Sequence, residues 1–566
     1  MLNKIWEESD GKIGSILSID TETTLTDFIK TPEMVLGSAY GGGETIYILD
    51  PNVLDRFFTI HRGSSFIFHN APFDIDVLKR ACPSFNYHAY YDSNRIYDTS
   101  ILYRLYHLAK EGWMPRRFNL KLLSKEFLDI DLDKEGDTRV TFEQYLNTDI
   151  SKIPANYLEY AAMDAKVTYE LYYKLRPLIA PFDQYGTVLS QHIQVKGDLA
   201  LNRIYKRGIG FDIKRRDKWL KAALKRLEGI QNRLATWGWV RGMKGNKEKY
   251  ENIVNYLDLG TLLPRTKDGD ISSKSEDLEK YSGYPFINDY LRFSELEKLT
   301  SFVRDQDSER IHPRYNLLMN TGRTSCTKPN IQQLPRSGAI RGMYRARSGS
   351  SLIISDYSAI ELSTLAQVLL KKYGKSVMAE KINEGIDLHR YYASVLHNID
   401  EKDVTKEQRQ KAKAANFGFP GGLGIETFIA FSAGYGLVLT DKEAQDMKNA
   451  WFKAFPEMRK YLSDVKEGLM YTITGRARGN TFYCASANTP FQGLASDGAK
   501  LAMYEMDKEG FNIVAFVHDE IICEEPDNDI EDATSLMERI MISAMKKVVP
   551  DVSVGVETQI SRRYCK

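Results

Sequence analysis

Apolar positions in the first 180 or so residues fall into short runs parted by polar turns. IGSILSI (13–19) reads as a buried strand, and GETIYIL (43–49) and SFIFH (65–69) read as further extended segments. From Asp74 to Arg80 and from Ala155 to Leu175 the apolar period lengthens to that of a helix. Strands followed by helices predict an α/β domain. From Ile204 to Arg310 the pattern turns helical and highly charged, a candidate arm broken by GTLLPRTKDGD (260–270), which reads as an exposed loop between helices. Beyond Pro313, SLIISD (351–356) predicts a strand with a sharp end. Helices follow to about residue 470, and NIVAFVHDEIICEE (512–525) predicts a late strand pair.

Composition adds bounds to this picture. With 566 residues, 43% of them apolar and 27% charged, the chain has material for three or four compact units at about 150 residues each. A net charge of +1 means that any phosphate-binding surface must be a local basic groove. Five scattered cysteines without a C-x-x-C pair argue against a disulfide framework and against a zinc site. MLNKIWEESDGK lacks the apolar core of a secretory signal, and the apolar run around Leu365–Leu370 is far too short to cross a membrane. A soluble cytoplasmic protein with no membrane partner is expected.

Carboxylates cluster in two places. In SIDTETT, Asp20 and Glu22 are two apart on a strand, so both point to one face, where they repel unless a cation lies between them. HNAPFD offers Asn70 and Asp74 at a helix entry, and YAAMD puts Tyr160 and Asp164 on one helical face. Hard oxygen donors without His or Cys suit Mg²⁺ or Mn²⁺, two of which can activate water and stabilise the leaving oxygen of a phosphodiester. Each piece alone is more often a solvated strand edge, a helix cap or an ordinary helix face. In order, they resemble the proofreading exonucleases of the D-x-E, N-x-x-x-D, Y-x-x-x-D type (DEDDy). That resemblance implies an RNase H-like mixed sheet in which Asp20, Glu22, Asp74 and Asp164 hold two metals and Tyr160 orients the attacking water.

The second cluster lies in LIISDYSAIELSTLA, where Asp356 ends an apolar strand and Glu361 follows on a helix, and in AFVHDEIICE, where a tight hairpin would hold Asp519 and Glu520 at its tip. Two polar turns are the plain alternative. Between them, Arg409, Lys413 and Phe417 recur every four residues and line one helical face before Pro420 and Gly421 stop the helix. Such a face can hold a triphosphate and stack on a base; a solvated basic helix is again the alternative.

From about Gly208 onward, TGRTSCTKPNIQQLP, DYSAIEL, DLHRYYA, the R-x-x-x-K-x-x-N-F-G helix, TITGRAR, NTPFQG and VHDE occur in one order. This half resembles the A-family, DNA polymerase I-like enzymes. The resemblance implies an α+β right hand of palm, fingers and thumb behind the α/β exonuclease domain. Its implied divisions are exonuclease 1–185, thumb and connecting helices 186–310, palm 311–380, fingers 381–480 and palm again 481–566. It further implies that Asp356, the adjoining Tyr357 and Asp519 hold two catalytic metals, Mg²⁺ with Mn²⁺ as the alternative, and that Glu520 supports them. Arg409, Lys413, Phe417 and His389 would bind the incoming deoxynucleoside triphosphate, and Glu361 would bar a ribose 2′-hydroxyl. Arg323, Asn488, Gln492 and His518 would touch the primer-template minor groove or terminus, where acceptors common to all base pairs report geometry. Single-stranded DNA would enter the exonuclease site.

The family pattern is broken at Gly421, where a Tyr is common, and at Ala359, Ser363 and Cys484, where Gln, Arg and Arg are frequent. A more open pocket beside the templating base is expected, with relaxed or altered base preference. The start at residue 1 leaves no room for a 5′ nuclease domain, and together with the compact layout it reads as a phage replicative enzyme working in bacterial cytoplasm. No large insertion marks a processivity partner. A nuclease with a decayed polymerase half, or a silent DNA-binding scaffold, would lack at least one of these carboxylates, and none is missing.

Overall fold

The computed structural model describes residues 2–27, 29–132, 141–183, 189–266, 268–335 and 338–564. The N-terminal part is a six-stranded mixed sheet of β1 (Leu2–Ile5), β2 (Ile16–Thr23), β3 (Met34–Tyr40), β4 (Thr45–Leu49), β5 (Ser65–Phe68) and β6 (Ile96–Asp98), in the order β1-β4-β3-β2-β5-β6. The β2-β3-β4 meander is antiparallel, whereas β5 and β6 join in parallel. Helix α1 (Ala71–Ala81) follows β5 directly, and α2 (Ala155–Ile179) lies across β2 and β3. Three small residues, Ala161, Ala162 and Ala165, let α2 approach closely. Ser18 Oγ donates to the Ala165 carbonyl at 2.6 Å and Ser38 Oγ to that of Ala161 at 2.7 Å. This close seating carries the α2 carboxylate to the strand carboxylates.

Helix α3 (Leu189–Arg207) connects the halves. Beyond it rises an arm in which α4 (Ile213–Thr236) packs on α5 (Pro285–Ser301) around its own core of Leu234, Trp239, Phe286 and Ile287. Most described residues of 260–270 are exposed, as a loop between helices should be, but the segment is anchored at one apolar position. Leu263 is buried in the arm core beside Ile271, and Arg265 bridges to Ile271 in antiparallel fashion. Pro264 and Gly269 mark the turns but give no sign of this apolar anchor.

The second sheet is wholly antiparallel: β7 (Ser350–Ser358), β8 (Ile513–Val517), β9 (Glu520–Pro526) and β10 (Gly555–Ser561), in the order β8-β9-β7-β10. The inner strand β7 and the edge strand β8 are both covered on their two faces, which is why LIIS and IVAFV read as unbroken apolar runs rather than alternating ones. Among the described residues, Cys82, Cys326 and Cys523 are buried free thiols and Cys484 is an exposed one. No described helix is long and apolar enough to cross a membrane.

Candidate active sites

Asp20 and Glu22 of β2 meet Asp164 of α2, and each offers a carboxylate oxygen, all within 4.8 Å of one another. Asp74 reaches the same strand from α1. Its Oδ1 accepts from the Thr21 hydroxyl at 2.7 Å and from the Thr21 N–H at 3.1 Å. Burial pushes the Asp74 carboxyl up to about 7; the two Thr21 bonds oppose that rise and nearby Asp98 adds to it. Asn70 stands at the N-terminus of α1 in the left-handed region, φ 79°, and the next N–H, of Ala71, donates to Asp98 Oδ2 at 2.6 Å. Tyr160 lies one turn before Asp164 on α2, with its ring 6.1 Å from that of Phe142. Of the four carboxylates named from the sequence, three converge and the fourth abuts them through Thr21. Clustered hard oxygen donors fit divalent cations of the Mg²⁺ class.

In the second sheet Asp356 sits directly opposite Glu520 of β9 and Glu557 of β10. The strand does not end at Asp356, as the sequence had implied, but runs on to Ser358, so Asp356 is gripped from both sides. Val517 pairs with Glu520, leaving His518 and Asp519 as a two-residue turn with His518 at φ 64°. Glu520 is therefore not at the tip; it is the first residue of β9, buried, and accepts from the Tyr564 hydroxyl at 2.8 Å. Asp519 stands in the turn next to Glu520, the residue that pairs with Asp356, so the hairpin brings the two carboxylates to the same end of the sheet. The Tyr357 phenol points into the core and donates to the Met541 carbonyl at 2.8 Å, so any ligand atom Tyr357 offers is a main-chain one. Arg323 is ion-paired with Glu361.

Beside this centre opens a pocket of about 510 Å³ whose walls include Asp387, His389, Arg409, Lys413, Phe417 and Glu557. The stripe on the helix Lys406–Gly418 thus faces a cavity. Arg409 pairs with Asp387 at 2.6 Å. Burial works to raise Asp387, but the Arg409 hydrogen bond, the Arg390 N–H and the Arg409 charge together hold it below the usual carboxylate range. Burial pushes His389 down to about 4, Arg409 and Lys413 pushing the same way against Asp387. Trp451 Nε1 donates to Asn416 Oδ1 at 2.9 Å, which identifies the other Asn416 atom, 2.9 Å from His389 Nδ1, as an N–H donor. His389 is accordingly neutral, with its proton on Nε2.

Asn488 and Gln492 lie on one face of the helix Tyr483–Lys508. Gly421 does not open a void. A Cβ there would lie 2.5 Å from Asn488 Nδ2, so the Asn488 amide fills the space next to it. Sequence reasoning missed Asp98, Asp387, Asn416 and Glu557. Only Asp98 carried a local signal: D-T-S, in which its side chain caps the helix Thr99–Glu111 by accepting from Ser100 N and Ile101 N. Asp387 and Asn416 stood inside recognised motifs without a visible partner, and Glu557 stands opposite Asp356 only after β10 pairs.

Residues 243–566 match the family model described as DNA polymerase family A, and residues 7–180 match one described as 3′-5′ exonuclease. The chain is 28% identical over 535 residues to DNA polymerase I of Chloroflexus aurantiacus, covering 86% of this chain and 54% of that one. It is 31% identical over 323 residues to DNA polymerase I of Aquifex aeolicus, covering 54% of this chain and 55% of that one. The chain spans about half the length of these curated relatives. Among solved structures, the POL domain of Pol1 from M. smegmatis, in complex with DNA primer-template and dNTP, shares the fold with a TM-score of 0.77 at 20% identity, over 100% of this chain and 99% of that one. With an exonuclease domain followed by a polymerase domain, the chain belongs to DNA polymerase family A.

Proposed function

We propose that this chain extends a DNA primer on a template with deoxynucleoside triphosphates and removes misplaced 3′ ends in a separate exonuclease site of the D-E-D-D-Tyr kind. The observation that carries this reading is the pocket lined by Arg409, Lys413, Phe417 and neutral His389, set beside the Asp356–Asp519 centre. The domain limits follow the sequence reading: exonuclease to 185, connecting helices and thumb to 310, palm to 380, fingers to 480, palm to the end.

Asp356 and Asp519 would hold the polymerase ions, with Tyr357 contributing main chain. Asp20, Glu22, Asp74 and Asp164 would hold those of the exonuclease. Divalent ions, when bound, supply activation of the attacking oxygen and neutralise the leaving group. The protein's own part is positioning and charge neutralisation. Arg409 and Lys413 grip the triphosphate, and His389 donates its Nε2 proton to a phosphate oxygen without adding charge. Phe417, half out of the helix surface, stacks on the base or sugar. Glu361 blocks a 2′-hydroxyl. Glu520 stays out of the cleft and steadies β9 through Tyr564. In the exonuclease, Tyr160 orients the water that attacks the terminal phosphodiester of a single strand. A phage replicative role in bacterial cytoplasm rests on the sequence reading alone, since the relatives named above are bacterial.

The test is incorporation of each deoxynucleotide opposite each template base, with ribonucleotides as comparators. Complementary deoxynucleotides are expected to be added only when template is present. Glu361→Ala is expected to weaken discrimination against ribonucleotides at least about tenfold. Template-independent addition, or none at all, would overturn the reading.

A further inference from the structure

A network of buried polar side chains runs from α3 to the turn that carries Arg323. Gln194 of α3 donates from Nε2 to Asp497 Oδ1 at 3.0 Å, and its Oε1 accepts from Lys500 Nζ at 2.6 Å. Lys500 also donates to the Gly322 carbonyl at 2.8 Å, where Ser496 Oγ donates too, at 2.8 Å. Asp497 is bonded to Arg476 and to Thr474. Gln194, Asp497 and Lys500 are 0% exposed and Arg476 is 3% exposed. Burying a Lys is costly unless its donors are satisfied by well-placed acceptors, and here the room is prepared. A Cβ at Gly197 of α3 would meet the Lys500 stem at 2.9 Å. Gly322 has φ 88°, and its bare Cα rests on the Arg476 guanidinium. The turn is closed by Met319 N donating to Arg323 O and Gly322 N to Met319 O, both at 2.8 Å. Fixing the Gly322 carbonyl therefore fixes the backbone from which Arg323 projects.

On either side of Gln194, α3 also holds the exonuclease half. Gln191 Nε2 donates to the Ile96 carbonyl of β6 at 3.2 Å, and Asn202 Nδ2 to Asp76 Oδ2 of α1 at 3.2 Å. One rigid helix thus touches the exonuclease sheet and, three residues further on from Gln191, accepts from the Lys500 ammonium.

We propose that Gln194 and Lys500 are positioning residues that hold Arg323 in register for the primer terminus, so that the seating of the exonuclease half on α3 sets how accurately the polymerase half holds a primer end. This rests on the reading of Arg323 as a primer-terminus contact. Neither residue touches substrate; both act through the Gly322 carbonyl. A purely structural network would lose stability when broken, but its loss would be independent of Arg323.

The experiment measures nucleotide addition to matched and 3′-mismatched primers by the full chain in an Asp20→Ala background, so that excision does not intervene. It compares Gln194→Met, Arg323→Ala and the double variant. Gln194→Met keeps the packing volume and removes both bonds; Lys500→Met serves as the second variant. Gln194→Met is expected to lower kcat on matched primers about tenfold, leave the nucleotide KM within about twofold, and narrow the matched-to-mismatched ratio. The double variant is expected to be no slower than Arg323→Ala alone, because the effect passes through Arg323. With Asp20 restored, Gln194→Met is expected to degrade single-stranded DNA at the wild-type rate. Wild-type addition by Gln194→Met, or effects of Gln194→Met and Arg323→Ala that multiply, would overturn the inference. So would joint loss of single-strand degradation and of the thermal transition. If the Asp20→Ala protein itself extends no primer, it is the polymerase reading that fails.

Discussion

At His389, burial and one amide settle a protonation state. The imidazole is pushed down to about 4 in the fold against about 6.5 in an unfolded chain. Below 6.5 the unfolded state takes up a proton that the native state refuses. The stability tied to this group is therefore complete above about 6.5 and is lost as the pH falls toward 4. Urea unfolding at pH 7 and pH 5 is expected to show a loss up to about 2 kcal/mol smaller for His389→Gln than for wild type. Equal losses would mean that His389 charges freely in the fold. Asp20, Glu22 and Asp164 were legible because fixed spacing on a strand and a helix puts carboxylates on known faces. Asn416, which fixes the tautomer of His389, was not. Its partners Trp451 and His389 lie 35 and 27 residues away, and no local period links them.

Elements carry those residues into place. Helix α2 sits low on β2 and β3 only because Ala161, Ala162 and Ala165 face the sheet. Ala161→Leu is expected to lift it, destabilising the exonuclease domain by about 1–3 kcal/mol. Asp164 would move away from Asp20 and Glu22. Excision should fall more than about tenfold while primer extension is unchanged, as a gel assay of both reactions on one labelled primer would show. Undiminished excision would mean that the site tolerates the shift. Element type was readable from the apolar period for the segments named above, whereas β3 and β10 went unread and element ends were hidden. SLIISD gave β7 but hid its last two residues, because Tyr357 and Ser358 continue a ladder set by β10, some 200 residues later. Likewise the 260–270 segment showed its turns and concealed Leu263 as an anchor.

Across the whole molecule, the two halves are joined by buried charge as well as by apolar contact. Asp507 accepts from Arg203 at 2.6 Å and from Arg207 at 2.7 Å, and Asp76 of the exonuclease half pairs with Arg203 and Lys206 of the same helix. Removing one partner of such a pair strands the others. Asp507→Ala is expected to cost about 3–5 kcal/mol, read by denaturant unfolding, and a loss below about 1 kcal/mol would mean that water reaches the arginines. Motif order made the sequence of domains legible, yet α3 as the bridge was invisible, since its partners Asp76, Asp497, Lys500 and Asp507 are spread over the entire chain. The division of labour between the halves is open to direct measurement: a 5′-labelled primer on a longer template with Mg²⁺, with and without deoxynucleotides, for wild type, Asp519→Ala and Asp20→Ala. Extension lost only in Asp519→Ala and shortening lost only in Asp20→Ala is the expected result. Extension that survives in Asp519→Ala, or a primer that wild type and Asp20→Ala both fail to lengthen with ample nucleotide, would contradict it.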